Sequence, residues 1–144
     1  MGKKRIITTQ GGSNPEKKAE GSAPSKSKHQ VLKGIFHITS SYNNTIVSAS
    51  DPQGNVFAWT TSGNMGFKGA RKSTPYAATL VAKEAAERAK RFGLQEAQII
   101  VRGIGPGREA AIRGIVGAGI NVTSIVDDTP QPHNGVRPPK PRRV

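Results

Sequence analysis

Three consecutive segments, residues 31–40, 45–50 and 55–61, alternate between apolar and polar positions. This is the pattern of half-buried β-strands. Asn43-Asn44 lies between the first two segments and is predicted to form a tight turn, because asparagine tolerates positive φ. Residues 51–54 separate the next two, with proline at the second and glycine at the fourth position of a type I turn. The pattern therefore predicts a three-stranded antiparallel meander.

The spacing of apolar residues changes after Gly63 from the period of a strand to that of a helix. From Ala78 to Phe92 the apolar residues lie on one alanine-rich face. Thr74-Pro75 supplies an N-cap followed by proline, and Gly93 ends the predicted helix. The rest of the chain predicts a buried strand over residues 97–101, a helix over 108–119 and a strand over 120–126.

The predicted order of elements is βββαβαβ. We therefore predict an α/β fold, in which two helices pack against a mixed five-stranded sheet. Right-handed crossovers make the last three strands parallel. The predicted domain covers residues 31–128, between a disordered basic extension at residues 1–30 and an extended arm at residues 129–144.

The C-terminal arm, residues 129–144, carries five prolines and four lysine or arginine residues but no acidic residue. Proline removes backbone hydrogen-bond donors, so the arm cannot fold on its own. One interpretation is a solvated tail that contributes only solubility. The other is an arm that becomes ordered on a nucleic acid, where proline reduces the entropy that is lost on binding.

Positive charge is concentrated at the two ends of the chain. Residues 1–30 carry +5, residues 31–128 carry +4 and residues 129–144 carry +4, of a total of +13 at pH 7. Basic ends on a compact domain are typical of nucleic-acid-binding proteins, since each cation on a phosphate releases counterions. A membrane partner is not expected, because the sequence has neither a basic amphipathic helix nor a long apolar run. The absence of cysteine excludes disulfides and cysteine-based zinc sites, and it fits a cytosolic protein.

Residues 62–74 form a basic, glycine-rich loop that leads into the first helix. Lys68, Arg71 and Lys72 supply positive charge, and three glycines let the backbone approach a ligand closely. The free N–H groups and the dipole at the start of a helix also favour phosphate. Phe67 either stacks on a base or covers the hydrophobic core, and the core role is favoured for a single phenylalanine. The loop is therefore a candidate anion-binding site.

A second glycine-rich loop, residues 102–109, joins the fourth strand to the second helix. Its alternating glycines match neither the dinucleotide-binding pattern nor the phosphate-binding loop of nucleotide hydrolases. Arg102 and Arg108 beside these glycines fit the phosphates of a polymer better than a bound nucleotide. An enzyme that uses a nucleotide is therefore weakly supported.

Few residues could carry catalysis or bind a metal. Asp51, Asp127 and Asp128 are the candidate ligands for a metal-dependent nuclease, but the first belongs to a turn and the other two end a strand. The three histidines share no ligand spacing. We expect neither an enzyme nor a bound metal or cofactor. The charges alone are equally compatible with a nucleic-acid-binding module that acts outside any particle.

Four motifs, in this order along the chain, resemble those of one family. They are Tyr-Asn-Asn-Thr-Ile-Val at residues 42–47, the loop and helix start at residues 61–78, Gly-Ile-Gly-Pro-Gly-Arg-Glu at residues 103–109, and the arm. Over residues 31–144 the chain closely resembles the universal small-ribosomal-subunit protein eleven family, in its bacterial or organellar form. The α/β sheet sandwich of that family agrees with the order of elements predicted above.

The resemblance implies a structural ribosomal protein that binds 16S-type rRNA on the platform of the small subunit. There it would lie beside neighbouring platform proteins and near messenger RNA at the exit-site end of its path, in the cytoplasm or in an organellar matrix or stroma. It implies no enzymatic activity, cofactor, metal, membrane or small-molecule substrate. The residues that we expect to contact RNA are Asn43, Asn44, Lys68, Arg71, Lys72, Ser73, Arg102, Gly105, Gly107, Arg108, His133, Asn134, Arg137, Lys140, Arg142 and Arg143.

Two features are not explained by the resemblance. The extension at residues 1–30 is long, and its partner is open. Asn134-Gly135 is a pair prone to succinimide formation, because glycine has no side chain to block attack by its own backbone nitrogen. The alternative is that the pair supplies a turn and RNA holds it before it reacts.

Overall fold

A computed structural model describes residues 30–140 of the chain. The strands are β1 (Lys33–Ser40), β2 (Thr45–Ser50), β3 (Val56–Thr61), β4 (Glu96–Arg102) and β5 (Asn121–Asp127). The helices are α1 (Pro75–Arg91) and α2 (Arg108–Gly117), and a 3-10 turn at Gly69–Ser73 precedes α1. The predicted order and the predicted α/β class are confirmed. The predicted extension at residues 1–30, except Gln30, lies outside the described residues, as do Arg142 and Arg143.

The five strands form one mixed sheet in the order β3-β2-β1-β4-β5. β2 pairs antiparallel with both β1 and β3, whereas β4 pairs in parallel with both β1 and β5. Four strands therefore point in one direction, which confirms the parallel direction predicted for the last three strands. The segments that follow these four strands all leave the sheet at one edge, which we call the carboxyl edge.

Both helices lie on one face of the sheet, where α1 contacts β2 and β3 and α2 contacts β1. The alternating residues of the strands point into this layer, and Phe36, Ile38, Val47 and Ile99 are fully buried there. Burying a side chain of this size contributes about 1.5–3 kcal/mol. The alternation that predicted the strands is therefore also the pattern that fixes which face receives the helices.

The two helices approach each other closely because both present small residues at their contact. The face of α1 that points inward is almost entirely alanine, and Ala82 and Ala85 are fully buried. A Cβ atom on Gly114 of α2 would lie 2.8 Å from the Ala82 Cβ and 2.9 Å from the Thr79 carbonyl oxygen. The alanine-rich face that the sequence predicts is therefore the surface against which α2 packs.

The ends of α1 are those that the sequence predicts. The backbone N–H of Ala77 donates to the Thr74 hydroxyl at 3.3 Å, and Pro75 occupies the first helical position. Gly93 follows the helix with a φ of 90° and donates its N–H to the Lys90 carbonyl at 2.9 Å. These caps fix where α1 begins and thereby where the preceding loop meets it.

The local differences from the sequence prediction include the start of β1 and the turn before α1. β1 begins at Lys33 and not at Val31, because the Val31 N–H donates to the Phe92 carbonyl at 3.0 Å and ties this residue to the end of α1. The 3-10 turn before α1 is not predicted from the sequence. Among residues 30–140, no helix combines the length and the apolar character that a membrane span requires.

Candidate nucleic-acid interface

Four segments leave the carboxyl edge of the sheet, and they hold all the described residues that the sequence predicts to contact RNA, counting Arg102 at the end of β4. They are the β1–β2 turn, the loop after β3, the loop after β4 and the arm after β5. Gly105 N–H donates to the Ser40 carbonyl at 3.0 Å, which joins the first and third segments. Gly103 N–H donates to the Thr129 hydroxyl at 3.3 Å, which joins the third and fourth. The topology of the sheet thus brings together residues that are about 90 positions apart in sequence.

The starts of the two helices also lie side by side at this edge. A cleft of about 430 Å³ is lined by Pro75 and Thr79 of α1 and by residues between 105 and 113. The Thr79 hydroxyl lies 3.4 Å from the Ala110 carbonyl oxygen, across the contact between the helices. The loop after β3 and the loop after β4 therefore reach their helices at neighbouring positions.

The basic turn, which we define as Lys68 together with the 3-10 turn Gly69–Ser73, is the most cationic part of this edge. Lys68 and Arg71 are exposed, and Lys72 and Ser73 are half-buried. Ser73 donates its hydroxyl to the Ala70 carbonyl at 3.2 Å, which closes the turn. Within residues 30–140 the five salt bridges all involve other cations, so the three positive charges of the basic turn are unpaired there.

The glycines in and beside the basic turn leave its backbone accessible to a ligand. Gly66 and Gly69 have φ angles of 87° and 60°, and a Cβ atom on either would meet nothing within 4 Å. Next to them lies a cleft of about 540 Å³ lined by Met65, Gly66, Phe67, Lys68 and Arg71. Among the residues that the structure describes, none that lines this cleft is acidic. It is therefore a concave surface with positive charge on its wall.

The ring of Phe67 packs against Tyr76 and not in the hydrophobic core. The two ring centroids are 6.2 Å apart and the rings are nearly perpendicular, at 87°. The side chain of Tyr76 is 68% exposed at the start of α1. The core role that the sequence favours for Phe67 is therefore wrong, and the predicted contact residues do not include Tyr76. An exposed tyrosine beside a predicted helix start and a basic loop was the signal that could have identified it.

The glycines of the loop after β4 serve packing and not access for a ligand. A Cβ atom on Gly103 would lie 2.1 Å from the Ser40 carbonyl oxygen, and one on Gly105 would lie 2.3 Å from the Ser41 carbonyl oxygen. A Cβ on Gly107 would lie 2.6 Å from the Thr45 hydroxyl. Gly105 and Gly107 are buried. These glycines therefore let the loop approach the β1–β2 turn, and the RNA contacts expected of Gly105 and Gly107 stay a prediction.

Arg108 connects this loop to the start of the arm. Its guanidinium donates to the Gly103 carbonyl and to the Asp127 carboxylate, and it lies 3.4 Å from the Thr129 hydroxyl. Asp127 also accepts from the Thr129 hydroxyl at 2.6 Å and from the Thr129 N–H at 3.1 Å. The hydrogen bonds from Thr129, followed by that from Arg108, lower the pKa of the Asp127 carboxyl to about 2. These four residues fix the direction in which the arm leaves β5.

Arg102, the last residue of β4, is paired in the same way with Asp128. Its Nε donates to the Asp128 carboxylate at 2.8 Å, and both side chains are more than half exposed. The two arginines of this loop thus each face a carboxylate at the end of β5. The structural roles that the sequence favours for Asp127 and Asp128 are consistent with these pairs. Because Arg102 and Arg108 are paired with these carboxylates, they are less free to meet phosphate than an unpaired arginine.

Asn43 and Asn44 lie in the turn between β1 and β2, but this turn does not use positive φ. Asn134 is the one non-glycine residue with positive φ among residues 30–140. The Ser41 hydroxyl instead accepts hydrogen bonds from the backbone N–H groups of Asn43 at 3.3 Å and Asn44 at 3.1 Å. The position of the turn was predicted correctly, but the predicted cause was wrong. The side chain of Ser41 closes the turn, and no asparagine with positive φ is needed.

The described part of the arm, residues 129–140, contains neither helix nor strand. His133, Asn134, Arg137 and Lys140 are all exposed, and Asn134 has a φ of 60°. Thr129 is the half-buried residue at its base. The arm therefore leaves the body immediately after the hydrogen bonds of Thr129 and presents its cations to solvent.

Within the part of the chain that the structure describes, no three histidine, aspartate or glutamate side chains come together as a metal site. A family model described as Ribosomal protein S11 matches residues 34–143, which include all the elements from β2 to β5, nearly all of β1 and nearly all of the arm. The chain therefore belongs to the ribosomal protein S11 family, and it is a structural, non-enzymatic protein of the small ribosomal subunit that binds rRNA.

Proposed function

We propose that this protein binds 16S-type rRNA with the carboxyl edge of its sheet. The basic turn contacts phosphates of a folded rRNA segment, and the arm extends along a neighbouring one. On this proposal the protein lies on the platform of the small subunit, beside other platform proteins and near the path of messenger RNA at the exit site. Binding there supports assembly of the subunit.

One observation carries the proposal. The topology places the basic turn and the arm at the same edge of the sheet, and among the described residues the cations of both are unpaired. The cations of the basic turn lie within one short turn without carboxylate partners and repel one another, so this arrangement costs free energy until a polyanion neutralises it. Phosphates of RNA supply that neutralisation and release condensed counterions.

The residues of the interface divide into two groups by what they touch. Lys68, Arg71 and Lys72 of the basic turn, with the cations of the arm, are free to contact phosphate. Arg102 and Arg108 face Asp128 and Asp127, and Arg108 holds the base of the arm. We therefore assign Arg108 chiefly to positioning the arm, and the phosphate contacts chiefly to the first group.

Co-sedimentation with the small ribosomal subunit tests the proposal. The full chain and a chain lacking residues 131–144 are mixed with subunits depleted of this protein and washed at high salt. We expect the full chain to remain bound and the shortened chain to be lost, because the arm contributes phosphate contacts that salt weakens. Equal retention of both chains would contradict the role of the arm. Release of both, with retention of RNA binding in free solution, would identify a module that acts outside the particle.

The location on the platform can be tested separately, because the chain has no cysteine. Val136→Cys in the arm and Lys83→Cys on α1 each provide a single attachment point for an iron chelate that generates hydroxyl radicals. Val136 is 95% exposed and Lys83 is exposed, so neither change disturbs packing. We expect cleavage of platform rRNA from both positions in assembled subunits, at different nucleotides. Cleavage confined to rRNA of another part of the subunit would contradict the location.

A further inference from the structure

We propose that the cleft beside Phe67 binds one unpaired nucleobase of the RNA, with the phosphates on either side of that base contacting Lys68 and Arg71. The proposal rests on the proposed function and adds the kind of RNA that the site selects. On this proposal the basic turn binds a nucleotide that is not paired in a helix, and it does not bind the backbone of a continuous duplex.

The shape and chemistry of the cleft fit a base. Its volume of about 540 Å³ lies within the range of sites that enclose small ligands, about 300–1,000 Å³. Its wall combines the half-buried side chains of Phe67 and Met65 with the open backbone of Gly66. An aromatic face and a thioether offer stacking and dispersion contacts to the flat surface of a base.

The position of Phe67 supports stacking on RNA and not a role in the core. The ring of Tyr76 packs nearly perpendicular to that of Phe67 and so fixes the orientation of Phe67, and Tyr76 is not among the residues that line the cleft. Phe67 is not among the hydrophobic residues that pack against the core cluster, whereas Met65 is. Phe67 therefore remains partly uncovered at a basic surface.

Charge distinguishes an RNA strand from an apolar protein segment as the occupant. Lys68 and Arg71 line the same cleft, no carboxylate does, and neither cation has an ion-pair partner within residues 30–140. A nucleotide brings a flat base and a negatively charged phosphate together in one ligand. Stacking of bases on aromatic residues is the general way in which proteins hold unpaired nucleotides.

The test uses the full chain and two RNA probes. One is a hairpin with 2-aminopurine in its unpaired loop, and the other is a fully paired duplex of equal length with 2-aminopurine inside the helix. We expect the wild-type protein to quench the fluorescence of the hairpin probe on binding, and to bind the hairpin more tightly than the duplex at equal salt. Equal affinity for the two probes, without quenching, would overturn the proposal.

Variants of Phe67 separate stacking from packing. Phe67→Leu keeps an apolar side chain but removes the π-face, so we expect affinity for the hairpin to fall about 5- to 150-fold. Phe67→Tyr should restore both affinity and quenching. The slope of log affinity against log salt should be the same in all three proteins, because no charge has changed. Unchanged hairpin affinity in Phe67→Leu would overturn the proposal.

Tyr76→Ala tests the contact that orients Phe67 without a loss of stability. Tyr76→Ala changes an exposed residue in the first turn of α1, where alanine is a good helix former, so the thermal midpoint should not fall. We expect weaker quenching of the hairpin probe, since Phe67 loses the ring that orients it. Lys68→Ala tests the proposed function independently, because it should lower the salt slope. An unchanged slope with Lys68→Ala would count against the phosphate contacts, whereas the two RNA probes and the Phe67 variants decide whether a base is bound.

Discussion

Replacing Gly103 by alanine tests whether the glycines after β4 serve packing or access for RNA. Gly103 has a φ of 97°, and an added Cβ would lie 2.1 Å from the Ser40 carbonyl oxygen and 3.0 Å from its carbonyl carbon. The positive φ costs an alanine about 1–2 kcal/mol. Relief of the contact with Ser40 requires a backbone shift, and overpacking of this kind costs about 1–3 kcal/mol. The expected loss in the free energy of unfolding is therefore about 2–5 kcal/mol.

Gly66→Ala is the matched control for this substitution. Gly66 has a φ of 87°, close to that of Gly103, but a Cβ there would meet nothing within 4 Å. The backbone strain and the reduced entropy of the unfolded chain are then similar in both variants, and the difference between them isolates the contact with Ser40. We expect Gly103→Ala to be the less stable of the two by about 1–3 kcal/mol.

Thermal unfolding followed by circular dichroism, together with urea titration, measures the two variants. One kcal/mol corresponds to about 4–8 °C for a domain of 60–100 residues, so the midpoint of Gly103→Ala should lie at least about 4 °C below that of Gly66→Ala. Its affinity for rRNA, measured well below the midpoint, should be close to that of the wild type. Equal stability of the two variants, with a loss of RNA affinity in Gly103→Ala, would refute the packing role. It would indicate instead that Gly103 lets RNA approach the loop.

Three further predictions concern the arm. Removal of residues 131–144 should leave the thermal midpoint of the free protein nearly unchanged, because the described residues of this segment are exposed; a large fall would mean that the arm packs on the body. The pKa of Asp127 lies at about 2, below its ordinary value of 3.8, so its contribution to stability is present above pH 4 and is lost as the pH falls towards 2. Asp127→Asn should therefore be slightly less stable than the wild type at neutral pH, with a difference that shrinks between pH 4 and pH 2; a constant difference in pH-dependent urea titrations would contradict the assignment. Asn134 in the exposed arm should form a succinimide with the Gly135 nitrogen, with loss of ammonia, and then hydrolyse to aspartate and isoaspartate; mass spectrometry of aged free protein that showed only intact asparagine would contradict this.

The elements of the fold could be predicted because each has a local signal. Alternation marks β1 to β3, and the Thr74-Pro75 start and the Gly93 end mark α1. The position of β4 could not be predicted, because its pairing with β1 and not with β3 depends on how α1 crosses the sheet. The 3-10 turn was missed because five residues of basic loop carry no periodicity.

The cations of the basic turn could be identified from sequence, since charge and glycine content are visible there. The pairing of Arg102 with Asp128 and of Arg108 with Asp127 could not be identified, because the end of β4 and the start of α2 meet the end of β5 only in the folded sheet. The packing role of the glycines at 103, 105 and 107 could not be predicted either, because the residues that they approach are distant in sequence. A glycine that approaches a ligand and one that approaches a neighbouring strand look alike in sequence.

The salt dependence of binding to small-subunit rRNA tests most directly whether the basic turn contacts RNA phosphates. The full chain is compared with Lys68→Ala/Lys72→Ala and with the control Lys83→Ala/Arg91→Ala, which removes two exposed charges from α1. Loss of two phosphate contacts should lower the log–log slope by about 1.4–1.8 units, at about 0.7–0.9 for each phosphate. We predict this change for the basic-turn variant and a much smaller one for the control. Equal slopes for the two variants would contradict the proposal that the basic turn binds the RNA.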